Sequence, residues 1–342
     1  MFIGSREVSS NSAPLIIAEI GINHGGSLET AKSMVKLAKY SGAECVKHQT
    51  HFVEDEMTDE ARSIIPPNAD KSIYDVINNN SLNKKEEIEL KKYAEKLGLI
   101  YISTPFSRDA ANFLNEIDVP AFKIGSGEAN NLALIDHIAS FKKPIIMSTG
   151  MQTIDVISKS VEVITKYHQD ICLLECTNLY PSPPKNVSLK GIQDLKTAFP
   201  DIPIGFSDHS IGPSMAIAAL GLGACIIERH FTDTRFRLGP DISCSMDPAE
   251  LRFLIDRSQE IFIALHNPKI RTKEEDDVYA FARSSIVADK DLKKGTIISK
   301  DDIWARRPGD GEISGSFYFE IIGKTVINDI GKGTQLKWSD LK

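Results

Sequence analysis

The feature that most constrains the fold is a series of eight short apolar segments between residues 15 and 231. Each is a near-continuous run rich in isoleucine, which is typical of strands buried on both faces. Nearly every run ends in polar or reactive side chains. The segments are 15–24, 44–50, 99–106, 121–128, 144–151, 171–181, 203–210 and 224–231.

Most of these segments are separated by stretches with the 3.6-residue periodicity of helices. One is 27–42, and another is 247–265, with Asp247 as N-cap and Pro248 at the first helical position. Eightfold alternation of strand and helix predicts an α/β fold of the (β/α)8 TIM-barrel class, whose active site lies at the carboxyl ends of the strands. A doubly wound open sheet also alternates, but its polar residues would gather at one crevice.

The composition changes after Leu265. The barrel is therefore assigned to 1–265, the polar stretch 266–280 to a linker, and 281–342 to a small, mostly β domain. Within the small domain DLKKGTIISKDDI (291–303) matches DIGKGTQLKWSDL (329–341), which predicts internal pseudo-twofold symmetry with each copy completing the core of the other.

The connection at 51–98 is too long for one helix and two turns. It is either a lid over the mouth of the barrel or a surface insertion.

Charge and composition exclude several classes of partner. The 342 residues carry a net charge of −7, which argues against nucleic acid or an anionic membrane as the main partner. No apolar run is long enough to span a bilayer, and no signal peptide is recognisable. The cysteines form no CxxC pair, and Cys45, Cys172 and Cys225 lie in apolar runs, as expected of buried thiols in a reducing cytoplasm.

Two histidines, His209 and His230, each end an apolar segment and lie 21 residues apart, about one strand–helix unit. On neighbouring parallel strands both imidazoles would lie on one rim. With Asp208, Glu228 and Asp241 nearby, the pair suits a divalent metal with open coordination positions. Each histidine taken alone is equally compatible with an ordinary strand end.

Lysines and small hydroxyl residues end the second to fifth strand segments. Lys47 and Lys123, with the hydroxyls and glycine amides that end these segments, would form a cradle for a phosphate. Ion pairs of the two lysines with Glu19 and Glu128 are the alternative interpretation. A phosphate side facing a metal side suggests a phosphorylated enol or sugar that reacts with a carbonyl. The metal would polarise the carbonyl oxygen, and Glu19 or Glu128 would transfer protons.

Nine motifs occur in order between residues 18 and 246: AEIGINHGG (18–26), VKHQTH (46–51), STPF (103–106), FKIGSGE (122–128), STGM (148–151), TNLYPSP (177–183), SDHS (207–210), ERHFTD (228–233) and GPDISCSM (239–246). Together they strongly resemble the bacterial sialic acid (N-acetylneuraminate) synthases. The C-terminal part, with ARRPGDG (305–311) and the two Lys-Gly-Thr repeats, resembles the antifreeze-like (SAF) domain of that family.

The resemblance implies a metal-dependent condensation of phosphoenolpyruvate with N-acetylmannosamine. His209 and His230 would bind Mn²⁺, with Mg²⁺ or Co²⁺ as alternatives. Phosphoenolpyruvate would be held by Lys47, Thr104, Lys123, Ser126, Ser148 and Ser207. The acceptor sugar would contact Glu19, Gln49, Phe106, Asn178, Tyr180 and Asp241, with Glu128 transferring a proton or orienting a group.

The resemblance also implies a homodimer with a swapped C-terminal domain. Arg307, or its neighbour Arg306, would reach the acceptor in the partner's barrel, with Phe281 lining the same region. Synthases of legionaminic acid, pseudaminic acid or sialic acid 9-phosphate are the nearest alternatives, followed by a non-catalytic carbohydrate-binding barrel.

Overall fold

The computed structural model describes residues 1–66 and 70–342. They form two compact units, Met1–Asn267 and Pro268–Lys342. The first unit holds a short N-terminal hairpin and a closed barrel of eight parallel strands. Its strands are β1 (Phe2–Ile3), β2 (Arg6–Glu7), β3 (Leu15–Gly21), β4 (Cys45–Thr50), β5 (Ile100–Pro105), β6 (Phe122–Ile124), β7 (Ile145–Ser148), β8 (Ile171–Cys176), β9 (Ile204–Asp208) and β10 (Ile226–His230).

Helices occupy the segments that follow the barrel strands. They are α1 (Leu28–Tyr40), α2 (Val53–Glu56), α3 (Ile73–Asn80), α4 (Lys84–Lys96), α5 (Arg108–Glu116), α6 (Leu132–Ala139), α7 (Ile154–Thr165), α8 (Leu189–Ala198), α9 (Ser214–Gly221) and α10 (Pro248–His266). The barrel closes where β10 pairs in parallel with β3, with His230 beside Glu19. The predicted TIM-type barrel is confirmed.

Two helix starts form where the sequence places them. Ser27 accepts a hydrogen bond from Thr30 at the start of α1, and Asp247 accepts from Ala249 and Glu250 at the start of α10. These bonds satisfy backbone donors that the first helical turn leaves without partners.

Side chains alternate between the two faces of each barrel strand, and this alternation builds the site. In β3 the even-numbered residues from Ile16 to Ile20 join the core under the helices, whereas Leu15 and Ile17 point into the barrel. The lower interior is apolar and is sealed by Ile3 of the N-terminal hairpin. Because Glu19 continues the inward series, it lies one layer above this apolar plug, at the upper end of the strand.

The connection at 51–98, of which the structure describes all but 67–69, ends in the barrel helix α4. Before it come α2, a short 3-10 turn at Asp59–Arg62 and α3. The insertion proper is therefore 51–83, and its action as a lid stays a prediction.

The second unit contains α11 (Asp276–Ala282), β11 (Ser285–Ala288), β12 (Ile303–Arg306) and α12 (Tyr318–Ile321). Most of α11 lies within 266–280, the range predicted as a linker. The predicted symmetry of the repeats is borne out by reciprocal bonds. The Lys294 amide donates to Asp329, and the Lys332 amide donates to Asp291, each at 2.8 Å. Gly295 and Gly333 have φ of +90° and +82°, which glycine adopts without strain.

Candidate active site

A cavity opens at the carboxyl ends of the barrel strands and gathers most of the predicted site residues. The predicted residues that line it are Glu19, Lys47, Gln49, Thr104, Phe106, Lys123, Ser126, Ser148, Asn178, Tyr180, Ser207, His209 and His230. Gly125, Gly127, Cys176 and Glu228 complete the wall. All of these residues belong to the barrel unit.

Two buried lysines form one side of the cavity. Lys47 is ion-paired with Glu19 and donates a hydrogen bond to Thr104 Oγ1 at 3.1 Å. Lys123 donates to Ser148 Oγ at 2.7 Å and lies 3.6 Å from Glu228 Oε1. Each lysine thus has a glutamate beside it, and both lysines still line the open space.

Burial and mutual charge set the protonation of these groups. Burial raises the pKa of Glu19 to about 7 even though Lys47 opposes the shift, so near neutral pH this group alternates between the neutral acid and the carboxylate that pairs with Lys47. Burial would also raise the pKa of Glu228, but Lys123 and Lys47 outweigh it and lower that pKa. The two glutamates are therefore pushed in opposite directions, as is typical of sites that transfer protons.

The second side of the cavity is formed by two imidazoles whose ring centres lie 5.4 Å apart. His209 Nδ1 lies 2.8 Å from the Thr177 carbonyl oxygen, which can only accept, so Nδ1 carries the hydrogen and Nε2 keeps a lone pair. Burial lowers the pKa of His209 and of His230. Both rings are therefore neutral near pH 7, the form that binds metals.

These two rings fit a divalent cation that keeps open coordination positions. Across residues 1–66 and 70–342 no three His, Cys, Asp or Glu side chains are grouped to hold a metal. The protein would thus supply two imidazole ligands, and water and substrate would fill the remaining coordination positions of the cation. Buried His230 Nδ1 and Glu228 Oε2 have no hydrogen-bond partner in the described chain, so the wall still offers sites to a polar ligand.

Tyr180 and Phe106 line the mouth of the cavity. The Tyr180 ring lies 4.1 Å from the ring of His209 and 5.9 Å from that of His230, measured between centres. Phe106 stacks on His51 at 4.2 Å. His51 in turn lies 3.3 Å from Gln49 Oε1, so this amide is held at the rim.

Three predicted residues are not brought into the wall of this cavity. Asp241 lies just behind it, with Oδ2 3.8 Å from His230 Nδ1, and burial raises its pKa to about 6. Arg307 lies in the second unit, and its side chain is exposed.

Glu128 is the clearest departure. A 3-10 turn at Ser126–Glu128 directs this side chain away from the cavity. The carboxylate instead accepts a hydrogen bond from Asn131 at 2.7 Å and lines a separate depression. The alternative pairing of Lys123 with Glu128 is therefore wrong, because Lys123 pairs with Glu228 instead. Strand alternation could have indicated Glu228, since it lies two residues before His230 and shares its face.

Comparisons with known proteins match both parts of the chain. The profile of the NeuB family matches residues 34–269, and that of the SAF domain matches 283–342. The chain is 38% identical to an N,N'-diacetyllegionaminic acid synthase of Campylobacter jejuni, over 91% of this chain and 95% of the relative. It is 32% identical to a human N-acetylneuraminate-9-phosphate synthase, over 94% and 91%.

A solved structure supports the same relationship. The N-acetylneuraminic acid (sialic acid) synthetase from Leptospira borgpetersenii, in complex with citrate, superposes with a TM-score of 0.74 at 30% identity. The match covers 81% of this chain and 94% of that one.

Proposed function

Because the chain belongs to the NeuB family and carries a SAF domain, we propose that it condenses phosphoenolpyruvate with N-acetylmannosamine and water, yielding N-acetylneuraminate and phosphate. The observation that carries the proposal is one cavity in which Lys47 and Lys123 face His209 and His230. A carbohydrate-binding barrel would need neither two buried lysines nor two neutral imidazoles, and this weighs against a non-catalytic role.

Phosphoenolpyruvate would lie on the lysine side. Lys47 and Lys123 would neutralise its phosphate and carboxylate, and the hydroxyls of Thr104, Ser148 and Ser207 would replace water that the anion loses on entry. Ser126 is held for the same task, since its Oγ accepts from the Gly150 amide at 3.1 Å and leaves its own hydrogen free to donate.

The open-chain acceptor would place its aldehyde on the histidine side. A divalent cation held by His209 and His230, Mn²⁺ in the first instance and otherwise Mg²⁺ or Co²⁺, would supply Lewis-acid polarisation of the aldehyde oxygen. Tyr180 and Asn178 would orient the sugar from the rim, with Gln49 and Phe106 opposite. Asp241 does not line the cavity, so its contact with the sugar stays a prediction.

The reaction would form the carbon–carbon bond first, then add water and release phosphate. Carbon 3 of phosphoenolpyruvate attacks the aldehyde carbon, and Glu19, in its protonated form, gives its proton to the alkoxide that forms. Water adds to the resulting oxocarbenium carbon and returns a proton to Glu19. In the tetrahedral intermediate the new hydroxyl then loses its proton to the departing phosphate as the carbon–oxygen bond breaks, which leaves the keto acid and hydrogen phosphate.

One observation counts against a 6-phosphorylated acceptor and leaves, beside N-acetylmannosamine, the 6-deoxy diacetamido sugar that leads to legionaminic acid. The neighbouring cavity, which shares Tyr180, carries Asp70 and Asp75 but a single lysine, Lys71, among its charged residues. A phosphate at the distal end of the acceptor would meet more negative than positive charge there, whereas a methyl or acetamido group would not.

Phosphate release tests the proposal directly. The protein is incubated with phosphoenolpyruvate and Mn²⁺, and with N-acetylmannosamine, its 6-phosphate or the 6-deoxy diacetamido sugar. We expect release with one of the two uncharged acceptors and little with the 6-phosphate. No release with any N-acetylated hexose, metal present, would refute the enzymatic interpretation.

The homodimer with a swapped C-terminal domain belongs to the same proposal. Exposed apolar side chains crowd the loops that follow the barrel strands, including Met151, Ile211, Phe236 and Leu238, and a partner's small domain would cover them. Arg306 is ion-paired with Asp289 of its own unit. The structure records no hydrogen bond or ion pair for Arg307 among the described residues, so it is the better candidate to reach a partner's site.

Mixing two inactive chains tests this arrangement. One chain carries Arg307→Ala and the other His230→Ala. If Arg307 acts on the partner's barrel, each mixed dimer regains one working site, and equal mixing restores about a quarter of the wild-type rate. No recovery in a confirmed heterodimer would contradict it.

Every helix among the described residues is too short or too polar to cross a bilayer. The cytoplasmic location stays part of the proposal.

A further inference from the structure

Arg229 is a buried arginine outside the cavity. It is 1% exposed and is among the largest fully buried side chains of the described chain. It lies on β10 between Glu228 and His230, and because those two line the cavity, alternation places Arg229 on the opposite face of the strand. Removing a charged guanidinium from water costs free energy, so an arginine buried under the helices needs partners that offset this cost.

Its partner is Asp208 of the neighbouring strand β9. The two residues are opposite one another in the strand register, and Arg229 Nε lies 3.2 Å from Asp208 Oδ2. This contact has the distance of an ion pair without the angles of a hydrogen bond. Each member immediately precedes one of the two histidines, so the pair ties β9 to β10 one residue before His209 and one before His230.

The same two side chains also fix the backbone after His209. Arg229 Nη2 donates to the Ser210 carbonyl oxygen at 2.6 Å, and Asp208 Oδ1 accepts from the Ser210 amide at 2.8 Å. The residues before and after His209, Asp208 and Ser210, are thus restrained by these contacts, and the His209 ring is oriented by the Thr177 carbonyl oxygen. The direction of its free Nε2 follows from these three restraints.

We infer that the Asp208–Arg229 pair positions the two imidazoles for a divalent cation. This inference rests on the proposed function, because it takes His209 and His230 to be the metal ligands. It assigns to the Asp208–Arg229 pair the role of setting the distance between the two rings. Groups that orient metal ligands from behind commonly alter metal affinity 10- to 100-fold when replaced. Neither residue touches the cavity, so both are positioning residues rather than catalytic ones.

The forked guanidinium makes the geometry specific. Its Nε and Nη2 face the carboxylate and the Ser210 carbonyl oxygen at the same time, whereas a lysine ammonium is a single point charge. Arg229→Lys therefore keeps the charge and loses one of the two contacts. Arg252→Lys on α10 is the matched control, since Arg252 makes an exposed ion pair with Asp256.

Mn²⁺ affinity provides the test. The dissociation constant is measured on the full chain from the electron paramagnetic resonance signal of free Mn²⁺, below the unfolding temperature of every variant. Phosphoenolpyruvate affinity is measured on the same samples. We expect Arg229→Lys to weaken Mn²⁺ binding about 10- to 100-fold, with phosphoenolpyruvate affinity retained and Arg252→Lys unchanged.

Asp208→Asn serves if Arg229→Lys does not fold. It retains an oxygen for the Ser210 amide, removes the charge opposite Arg229, and should weaken Mn²⁺ binding in the same way. A lower melting temperature with unchanged Mn²⁺ affinity would show a merely structural pair and overturn the inference.

His209→Ala separates the two levels of the argument. If it abolishes Mn²⁺ binding while the Arg229 and Asp208 variants bind as the wild type does, only the positioning role fails. If the wild type binds no Mn²⁺, or His209→Ala binds it normally, the metal assignment in the proposed function fails as well.

Discussion

A single methyl group added at Gly150 tests how tightly the cavity wall is built. A Cβ at this position would lie 2.0 Å from Asn178 Oδ1, and 2.9 Å from both the Cys176 carbonyl oxygen and Ser126 Oγ. Real Cβ atoms essentially never approach a neighbour within 3.0 Å, so the Asn178 amide must move by about 1 Å. A misplacement of about 1 Å in a positioning group can cost on the order of 100-fold in rate.

Steady-state kinetics of phosphate release measure this loss. We expect Gly150→Ala to lower kcat/KM for the acceptor about 100-fold and to reduce stability by ~1–3 kcal/mol, the usual cost of overpacking. Gly221→Ala is the matched control, because Gly221 ends α9 with no neighbour within 4 Å of the added methyl. It should retain the wild-type rate.

A double-mutant cycle shows whether the effect passes through Asn178. If it does, Gly150→Ala/Asn178→Ala loses little more than Asn178→Ala alone, since the side chain that clashes is already gone. Full activity of Gly150→Ala, or losses that multiply in the double variant, would refute the reasoning.

Three further perturbations test other parts of the structure. His230→Ala should abolish metal-dependent phosphate release while its circular dichroism spectrum and melting temperature remain close to wild type; retained turnover would remove His230 from the metal site. Lys123→Met should raise KM for phosphoenolpyruvate about 10- to 100-fold, the worth of a charge-assisted hydrogen bond, and an unchanged KM would contradict the cradle. Burial raises the pKa of Glu175, on the outer face of β8, to about 7. The folded protein therefore binds a proton that the unfolded chain has released between about pH 4.5 and pH 7, and stability falls as pH rises through this range. Glu175→Gln should flatten the fall and stabilise the protein by ~1 kcal/mol at pH 8, a value reduced for partial exposure; a pH profile of melting temperature identical to wild type would count against it.

Much of this architecture follows from local patterns in the sequence. Isoleucine-rich runs separated by helical periods fix the strands, and parallel strands in a closed barrel bring their carboxyl ends to one rim. Strand alternation then assigns Glu19, Lys47 and Ser207 to the interior. The same alternation places Glu228, two residues before His230, on the inward face of β10.

Pairings between elements far apart in the chain are what local patterns do not show. Lys123 lies on β6 with Glu128 nearby in sequence, yet the 3-10 turn directs that carboxylate away and the closed barrel brings in Glu228 instead. Choosing between the two requires the direction of each side chain, which depends on the backbone of the turn.

A buried polar cluster behind β4 was likewise not predictable. His24 and His48 meet at 3.1 Å between their Nε2 atoms, and Glu87 of α4 accepts from Thr50 at 2.6 Å and from Tyr101 at 3.2 Å. A glutamate on an amphipathic helix usually faces solvent, so only the packing of α4 on the barrel reveals that it is buried.

The route of the bridging oxygen of phosphoenolpyruvate tests the central claim most directly. Substrate labelled with ¹⁸O between carbon 2 and phosphorus is turned over with Mn²⁺ and the acceptor that gives the fastest phosphate release. Mass spectrometry then locates the label. Cleavage of the carbon–oxygen bond after water addition predicts that all of the ¹⁸O leaves with phosphate. Label retained in the sugar acid, or in free pyruvate formed without condensation, would contradict the account.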